Sequence, residues 1–252
     1  MWLTPSSDRY HLYVSYACPW ATRTLIVRKL KGLEDIISLT VVSPRLGSNG
    51  WPFGNIDEFP GAEADPLFNS SYMKELYLRA DPDYASRGLI PDETEAALDL
   101  YPEAYRADID ALNEWVYSDI NIGVYLSGFA TQQAAYEKAV NKVFDALDRI
   151  EDILTGKDYL VGGQVTEADV RLFVTIIRFD LAYVGEFKCN VRTIRGGYPA
   201  IHSWLRKLYW NIPAFKDSTF FDHIKACYYG CQPNINPTRI IPVGPLPPIM
   251  PL

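Results

Sequence analysis

Residues 10–42 constrain this chain more than any other stretch. Tyr10-His-Leu-Tyr-Val14 is a run of aromatic, apolar and β-branched residues that predicts a short strand. Ala21 to Lys31 predicts a helix that stops at Gly32. Between them stand Cys18 and Pro19, and Pro19 suits the first helical position because its missing N–H would have no partner there. Cys18 therefore falls at or near the N-cap, where its sulfur faces unpaired backbone N–H groups and the positive end of the helix dipole. That setting lowers a thiol pKa and favours the nucleophilic thiolate. Most free cysteines are inert and buried, but strand, Cys-Pro and helix in succession is a narrow context that favours a reactive one. Ala21 occupies the place of the second cysteine of a Cys-x-x-Cys pair. The site is a monothiol, and a mixed disulfide on Cys18 must be resolved by an external thiol. Ile36 to Val42 is a β-rich run, so the unit closes as a right-handed strand–helix–strand crossover.

The 252 residues suffice for a proper core and one or two domains. A hydrophobic share of 48% with 22% charged residues is that of a soluble globular chain. The net charge of −7 argues against nucleic acid or an anionic membrane surface as the main partner, since both need a basic footprint. No run approaches the roughly 18 apolar residues of a membrane span. Met1 to Asp8 lacks a basic and then apolar leader pattern, so the cytoplasm, with reduced thiols, is the expected location. Cys18, Cys189, Cys227 and Cys231 are scattered. Cys227 and Cys231 form a C-x3-C pair with His223 nearby, but no second close pair completes a zinc ligand set. No metal is expected, and the spacing reads as chance.

Residues 43–69 are rich in Gly, Pro, Asn and Asp and contain Gly50-Trp51-Pro52-Phe53, which predicts a long functional loop. Ser70 to Arg79 predicts a short helix capped by Ser70 or Ser71. From about Pro102 onward the pattern is helical only. Pro102 to Ile120 carries Ile109, Leu112 and Val116 on one face. Gln132 to Leu154 places Val140, Val143, Phe144, Leu147, Ile150 and Leu154 on one stripe. Thr166-Glu-Ala-Asp169 reads as a capping pair at N-cap and N3, flanked by Val165 and Val170 as a hydrophobic staple. Tyr198 to Trp210 is a fourth helix, and the proline-rich residues after Gly230 are expected to be extended and irregular.

A small α/β unit with a Cys-Pro turn, followed by helices, resembles the layout of cytosolic glutathione transferases. Longer strings narrow the resemblance: Arg9-Tyr-His-Leu-Tyr-Val-Ser-Tyr-Ala-Cys18-Pro-Trp-Ala, Gly50-Trp51-x-Phe53, Tyr77-Leu-x-x-Ala-Asp81-Pro-Asp-Tyr84 and Leu160-Val-Gly162. Further strings are Thr166-Glu-Ala-Asp-Val-Arg-Leu-Phe173, Arg178-Phe-Asp180, Tyr183-Val-Gly185-x-Phe-Lys-Cys189-Asn190, Phe221-Asp-His-Ile-Lys225 and Ile235-Asn-Pro-Thr238. Across most of residues 9–245 the chain resembles the glutathionyl-hydroquinone reductases, also called xi-class glutathione transferases.

The resemblance implies an α+β two-domain glutathione transferase fold. A thioredoxin-like, glutathione-binding domain would occupy residues 1–90, an all-α domain residues 100–230, and an extended tail residues 231–252. It implies that Cys18 attacks the sulfur of a glutathionyl-hydroquinone, that hydroquinone leaves, and that a second glutathione resolves the mixed disulfide. Glutathione is then a co-substrate, aromatic quinol conjugates are the partners, and the chain forms a homodimer. Trp51, Arg87 and Pro19 fall at glutathione-side positions, and Tyr125, Tyr183 and Tyr228 at positions lining the aromatic-substrate pocket. Phenol hydroxyls can bond quinol oxygens or donate the proton that the ring carbon needs.

The chain departs from the family pattern between Arg79 and Tyr101. Two strands and a helix, roughly 30 residues at typical lengths, are missing from a thioredoxin-like domain, and the stretch between about 87 and 92 reads as a deletion. Neither the family's Val-Pro turn nor its Glu-Ser pair, both on the glutathione side, is present. Thr22 stands where relatives often have histidine, Pro52 interrupts the Trp-x-Phe motif, and Cys227 replaces a frequent histidine beside Tyr228. Three readings follow: a glutathione-dependent quinol reductase, a non-catalytic derivative that binds aromatic ligands or dimerises, and an omega-type glutathione thioltransferase.

Overall fold

The computed structural model describes residues 9–54, 59–82 and 99–252. Strand β1 (Tyr10–Val14), helix α1 (Pro19–Leu30) and strand β2 (Ile37–Val41) form the expected crossover. The strands pair in parallel from Tyr10 opposite Ile37 to Val14 opposite Val41. Among the described residues this sheet has two strands. Helix α1 is buried on two sides. Leu25 packs with Val14 and Val41 over the sheet, whereas Ile26 belongs to the large helical core. Gly32, at φ +61°, turns the chain out of α1 in a conformation that side chains with a Cβ rarely adopt.

The long loop after β2 folds back on the sheet. Glu63 N–H donates to Val41 O at 2.9 Å, and Phe53 N–H to Ser71 O at 2.9 Å. The Asp65 carboxylate accepts from Tyr13 Oη at 2.6 Å and from the backbone N–H groups of Leu67 and Ser70 at 3.1 and 3.0 Å. These bonds shift the start of the next helix. Helix α2 runs Met73–Ala80 with Tyr72 at its N-cap, not Ser70 or Ser71. The Ser70 N–H is taken by Asp65, and an antiparallel bridge between Pro52 and Tyr72 keeps the chain extended to that point.

The remaining described residues are helical until the tail. A 3-10 turn (Glu103–Tyr105) leads into α3 (Arg106–Trp115), which passes through a π turn (Val116–Asn121) into α4 (Gly123–Gly128). The single helix expected over Pro102–Ile120 is thus in three pieces. In the π turn the Ile122 N–H reaches back to Tyr117 O, and one extra residue is accommodated. The Asn121 amide donates inward to Thr175 Oγ1 at 2.7 Å. Helix α5 (Gln133–Leu154) buries the whole expected stripe, and each such side chain contributes about 1.5–3 kcal/mol of transfer free energy.

Helix α6 (Glu167–Arg178) opens on the expected capping box. Thr166 N–H donates to Asp169 Oδ2 at 2.9 Å, and Leu160 N–H and Trp204 Nε1 donate to Oδ1 at 3.0 and 2.9 Å. A second π turn (Phe179–Tyr183) follows, then α7 (Ile194–Gly197), α8 (Pro199–Asn211), α9 (Pro213–Lys216) and α10 (Phe221–Gly230). Residues 231–252 are irregular, as expected, and lie back on the helices. Arg195 Nη2 donates to Pro247 O and Pro248 O, Trp210 Nε1 to Met250 O, and Arg206 Nη1 to Pro251 O.

Candidate active site

Cys18 is the N-cap of α1 and Pro19 is its first residue. The Cys18 N–H donates to Ser15 O at 3.1 Å, which closes the turn. The Cys18 carbonyl accepts from Thr22 N at 3.0 Å and from Thr22 Oγ1 at 2.9 Å. Cys18 is a free, half-buried thiol. Beside it, the Arg23 guanidinium lies over the Trp20 ring, 4.4 Å from the centroid.

A second arginine, from α6, braces this turn. Arg178 is 1% exposed. Its Nε and Nη2 donate to Ala17 O at 3.3 Å, Nη2 also donates to Thr22 Oγ1 at 2.8 Å, and Nη1 donates to Val174 O at 2.7 Å. A relay therefore runs from Arg178 through the Thr22 hydroxyl to the Cys18 carbonyl. All its partners are neutral oxygens, and among the described residues no carboxylate lies within ion-pair distance. A buried cation without a counter-ion is costly, and a site that develops negative charge is where such a cation is useful. The sequence reading assigned Arg178 no role. Its signal was a lone charge in the apolar run Ile176-Ile177-Arg178-Phe179.

Tyr125, Tyr183 and Tyr228 come from α4, the second π turn and α10, and the fold brings all three together. Tyr125 Oη lies 2.6 Å and Tyr183 Oη 3.0 Å from Tyr228 Oη. These hydrogen bonds use two of three hydroxyl protons and leave one for a further acceptor. Tyr183 and Tyr228 are 0% and 5% exposed, and burial pushes both phenols well above their ordinary pKa, partly opposed by the Arg178 charge. Burial likewise pushes Tyr125 up. All three stay protonated donors at neutral pH. Phe187 stacks on Tyr183 at 5.5 Å and walls the cluster. Gly128 is required here, because a Cβ would come within 2.3 Å of the Phe187 ring. Arg178, which holds the Cys18 turn, directly precedes the π turn that carries Tyr183, so the end of α6 links that turn to the phenols.

Trp51 is half-buried in the loop after β2, and its carbonyl accepts from Met73 N at 2.9 Å, which fixes the start of α2. Next to it a cavity of about 350 Å³ is lined by Pro52, Phe53, Ala64, Asn69, Ser70, Ser71 and Tyr72. Arg87 and the junction read between 87 and 92 lie outside the described residues. Among the described residues no helix is long and apolar enough to cross a membrane.

A parallel βαβ start with a Cys-Pro N-cap, joined to a helical body with a capping box on α6, defines a glutathione transferase. A family model of the glutathione S-transferase C-terminal domain matches residues 133–207. The structure is similar to that of glutathione S-transferase Xi from Phanerochaete chrysosporium, with a TM-score of 0.93 and 57% identity over 99% of this chain and 94% of that one. It is similar to the Xi glutathione transferase ECM4 from Saccharomyces cerevisiae in complex with glutathione, with a TM-score of 0.92 and 38% identity over 98% and 95% of the two chains. The glutathionyl-hydroquinone reductase YqjG of Escherichia coli (strain K12) is 45% identical over 265 aligned positions, covering 94% of this chain and 80% of that protein. The chain belongs to the family of glutathionyl-hydroquinone reductases and Xi-class glutathione transferases, and it is an enzyme of that family. The alignment with YqjG is longer than this whole chain, so the relative carries positions that this chain lacks.

Proposed function

We propose that this chain is a glutathione-dependent reductase that releases hydroquinone from glutathionyl-hydroquinones. The observation that carries the reading is the end of α6, where Arg178 braces the Cys18 turn and the next residues carry Tyr183 into the three-tyrosine cluster. The Cys18 thiolate attacks the conjugate's sulfur. The bond between sulfur and ring carbon breaks, its electron pair goes to the ring, and a proton is delivered to that carbon. The tyrosine cluster holds the spare O–H that can supply this proton or bond a quinol oxygen. Glutathione stays on Cys18 as a mixed disulfide. A second glutathione thiolate attacks the glutathione sulfur, which gives oxidised glutathione and frees Cys18. Arg178 holds the Cys18 turn and offsets the negative charge.

On this reading residues 1–90 form the glutathione side, with Pro19, Trp51 and Arg87 as contacts, residues 100–230 supply the aromatic pocket, and residues 231–252 are the extended tail. The missing positions fall between about 87 and 92, the enzyme works as a homodimer, and it resides in the cytoplasm. A second reading is a non-catalytic derivative that binds aromatic ligands through Tyr125, Tyr183 and Tyr228, and it is favoured by the sheet having two strands among the described residues. Titration of glutathione into the reduced protein, with Cys18→Ser as control, followed by turnover, separates the two. Saturable binding and hydroquinone release that Cys18→Ala abolishes are expected. No release at high glutathione would overturn the reductase reading.

A further inference from the structure

The start of α10 packs on the turn that carries Cys18. Phe220, the N-cap of α10, stacks flat on Tyr16, with ring centroids 3.6 Å apart and planes 2° apart. Tyr16 stands two residues before Cys18, inside the turn that the Cys18 N–H closes on Ser15 O. His223, one turn further along the helix, is buried, and its ring meets Tyr16, Phe59 and Phe220 edge-on at 5.4, 5.7 and 6.0 Å. Its Nε2 donates to Pro60 O at 3.0 Å, because a carbonyl can only accept. Nδ1 is buried with no partner among the described residues, so this bond is the side chain's one polar tie. The tie holds the loop at 59–61, where a Cβ on Gly61, at φ +95°, would lie 3.4 Å from the Tyr16 ring. Tyr16 is thus held by Phe220 directly, and by His223 both directly and through the loop.

The same helix carries Tyr228, whose hydroxyl joins those of Tyr125 and Tyr183. Phe220 and Tyr228 are separated by about 12 Å of helix rise, so a tilt of the first turn moves the phenol. On the other side, Arg178 takes the carbonyl of Ala17 from the end of α6, directly before the π turn that carries Tyr183. Residues 16 and 17 are therefore anchored to two different helices, and each helix leads to a tyrosine of the cluster.

We propose that His223, with Tyr16 and Phe220, is a positioning clamp that sets Tyr228 in register with Cys18. The proposal rests on the reductase reading, in which thiolate attack and protonation of the ring carbon occur on one bound conjugate. A misplacement of about 1 Å in such an arrangement costs about 10²-fold in rate. Attack of the Cys18 thiolate on a small alkylating reagent needs no phenol and has no such register to lose.

The test measures single-turnover release of hydroquinone from a glutathionyl-hydroquinone by excess enzyme. Beside it runs the rate at which iodoacetamide alkylates Cys18, read on its own peptide by mass spectrometry. Tyr16→Leu and His223→Leu should slow release at least tenfold, with the half-saturating concentration and the alkylation of Cys18 changed less than threefold. His223→Gln, which can still donate to Pro60 O, should restore release to within threefold of the parent. Unchanged release in both leucine variants, alkylation that falls in parallel with release, or a glutamine variant no better than the leucine one would overturn the proposal. Hydrogen exchange adds a readout that needs no turnover. In both leucine variants the backbone N–H groups of residues 15–18 and 220–228 should exchange at least tenfold faster, while those of α5 keep the parent's rates. Exchange that is unchanged in either segment, or faster throughout the chain, would equally sink the clamp. A parent chain that releases no hydroquinone refutes the reductase reading, and exchange alone then decides whether the clamp exists.

Discussion

Asp65 is a residue whose charge the fold requires. Burial alone pushes its carboxyl up, but the Tyr13 hydroxyl and the N–H groups of Ser70 and Leu67 outweigh that effect and hold it far below the usual carboxylate range. A depressed folded-state pKa contributes stability that is present above the unfolded value, near about 3.9, and is lost as pH falls through the folded value. Asp65→Asn keeps the shape and removes the titration. Its urea midpoint should therefore fall less steeply than that of the parent between about pH 5 and pH 2. Parallel slopes would show that the carboxylate is not held in this way. At the same scale, the Cys18 site was legible because all its causes are local: a strand, a proline and a helix start within a few residues. Arg178 was not, since its role depends on what stands beside it in space.

At the scale of elements, the start of α6 illustrates how much one cap can support. The Asp169 carboxylate is 0% exposed and takes hydrogen bonds from Thr166, Leu160 and Trp204, so it ties α6 to the preceding loop and to α8. Asp169→Ala strands these donors, each at about 1–3 kcal/mol, and should cost about 3 kcal/mol or more. In a chain of this size that lowers the melting temperature by about 6 °C or more. A smaller drop in a thermal melt would mean that water replaces the carboxylate. This cap was readable because its signature spans four consecutive positions, and the α5 stripe was readable because it repeats over about four turns, from Val140 to Leu154. The start of α2 was not, because Asp65 takes the N–H of Ser70, one of the two expected caps, and the chain stays extended to Tyr72. The two π turns escaped detection for another reason: one inserted residue barely disturbs an apolar period. Both adjoin the tyrosine cluster, whose members come from three distant segments and were named by resemblance alone.

Across the whole molecule, Arg178 is the joint between the strand–helix–strand unit and the helical body, since its guanidinium reaches from the end of α6 to the carbonyl of Ala17 and the hydroxyl of Thr22. Arg178→Met removes both the charge and the brace, and it should lower kcat/KM on a glutathionyl-hydroquinone by about 10²-fold. Arg178→Lys, which restores the charge without the fork, should recover part of that loss. Equal losses in the two variants, matched by equal losses of thermal stability, would reduce the residue to a structural strut. The tail makes a different kind of joint. Arg195, Arg206 and Trp210 hold it by the main-chain carbonyls of Pro247, Pro248, Met250 and Pro251, and of its side chains Ile249 is the one in the core. Recognition of that sort is indifferent to spelling: the stretch can drift in composition over generations with little penalty, while a change in its length would put every carbonyl out of step.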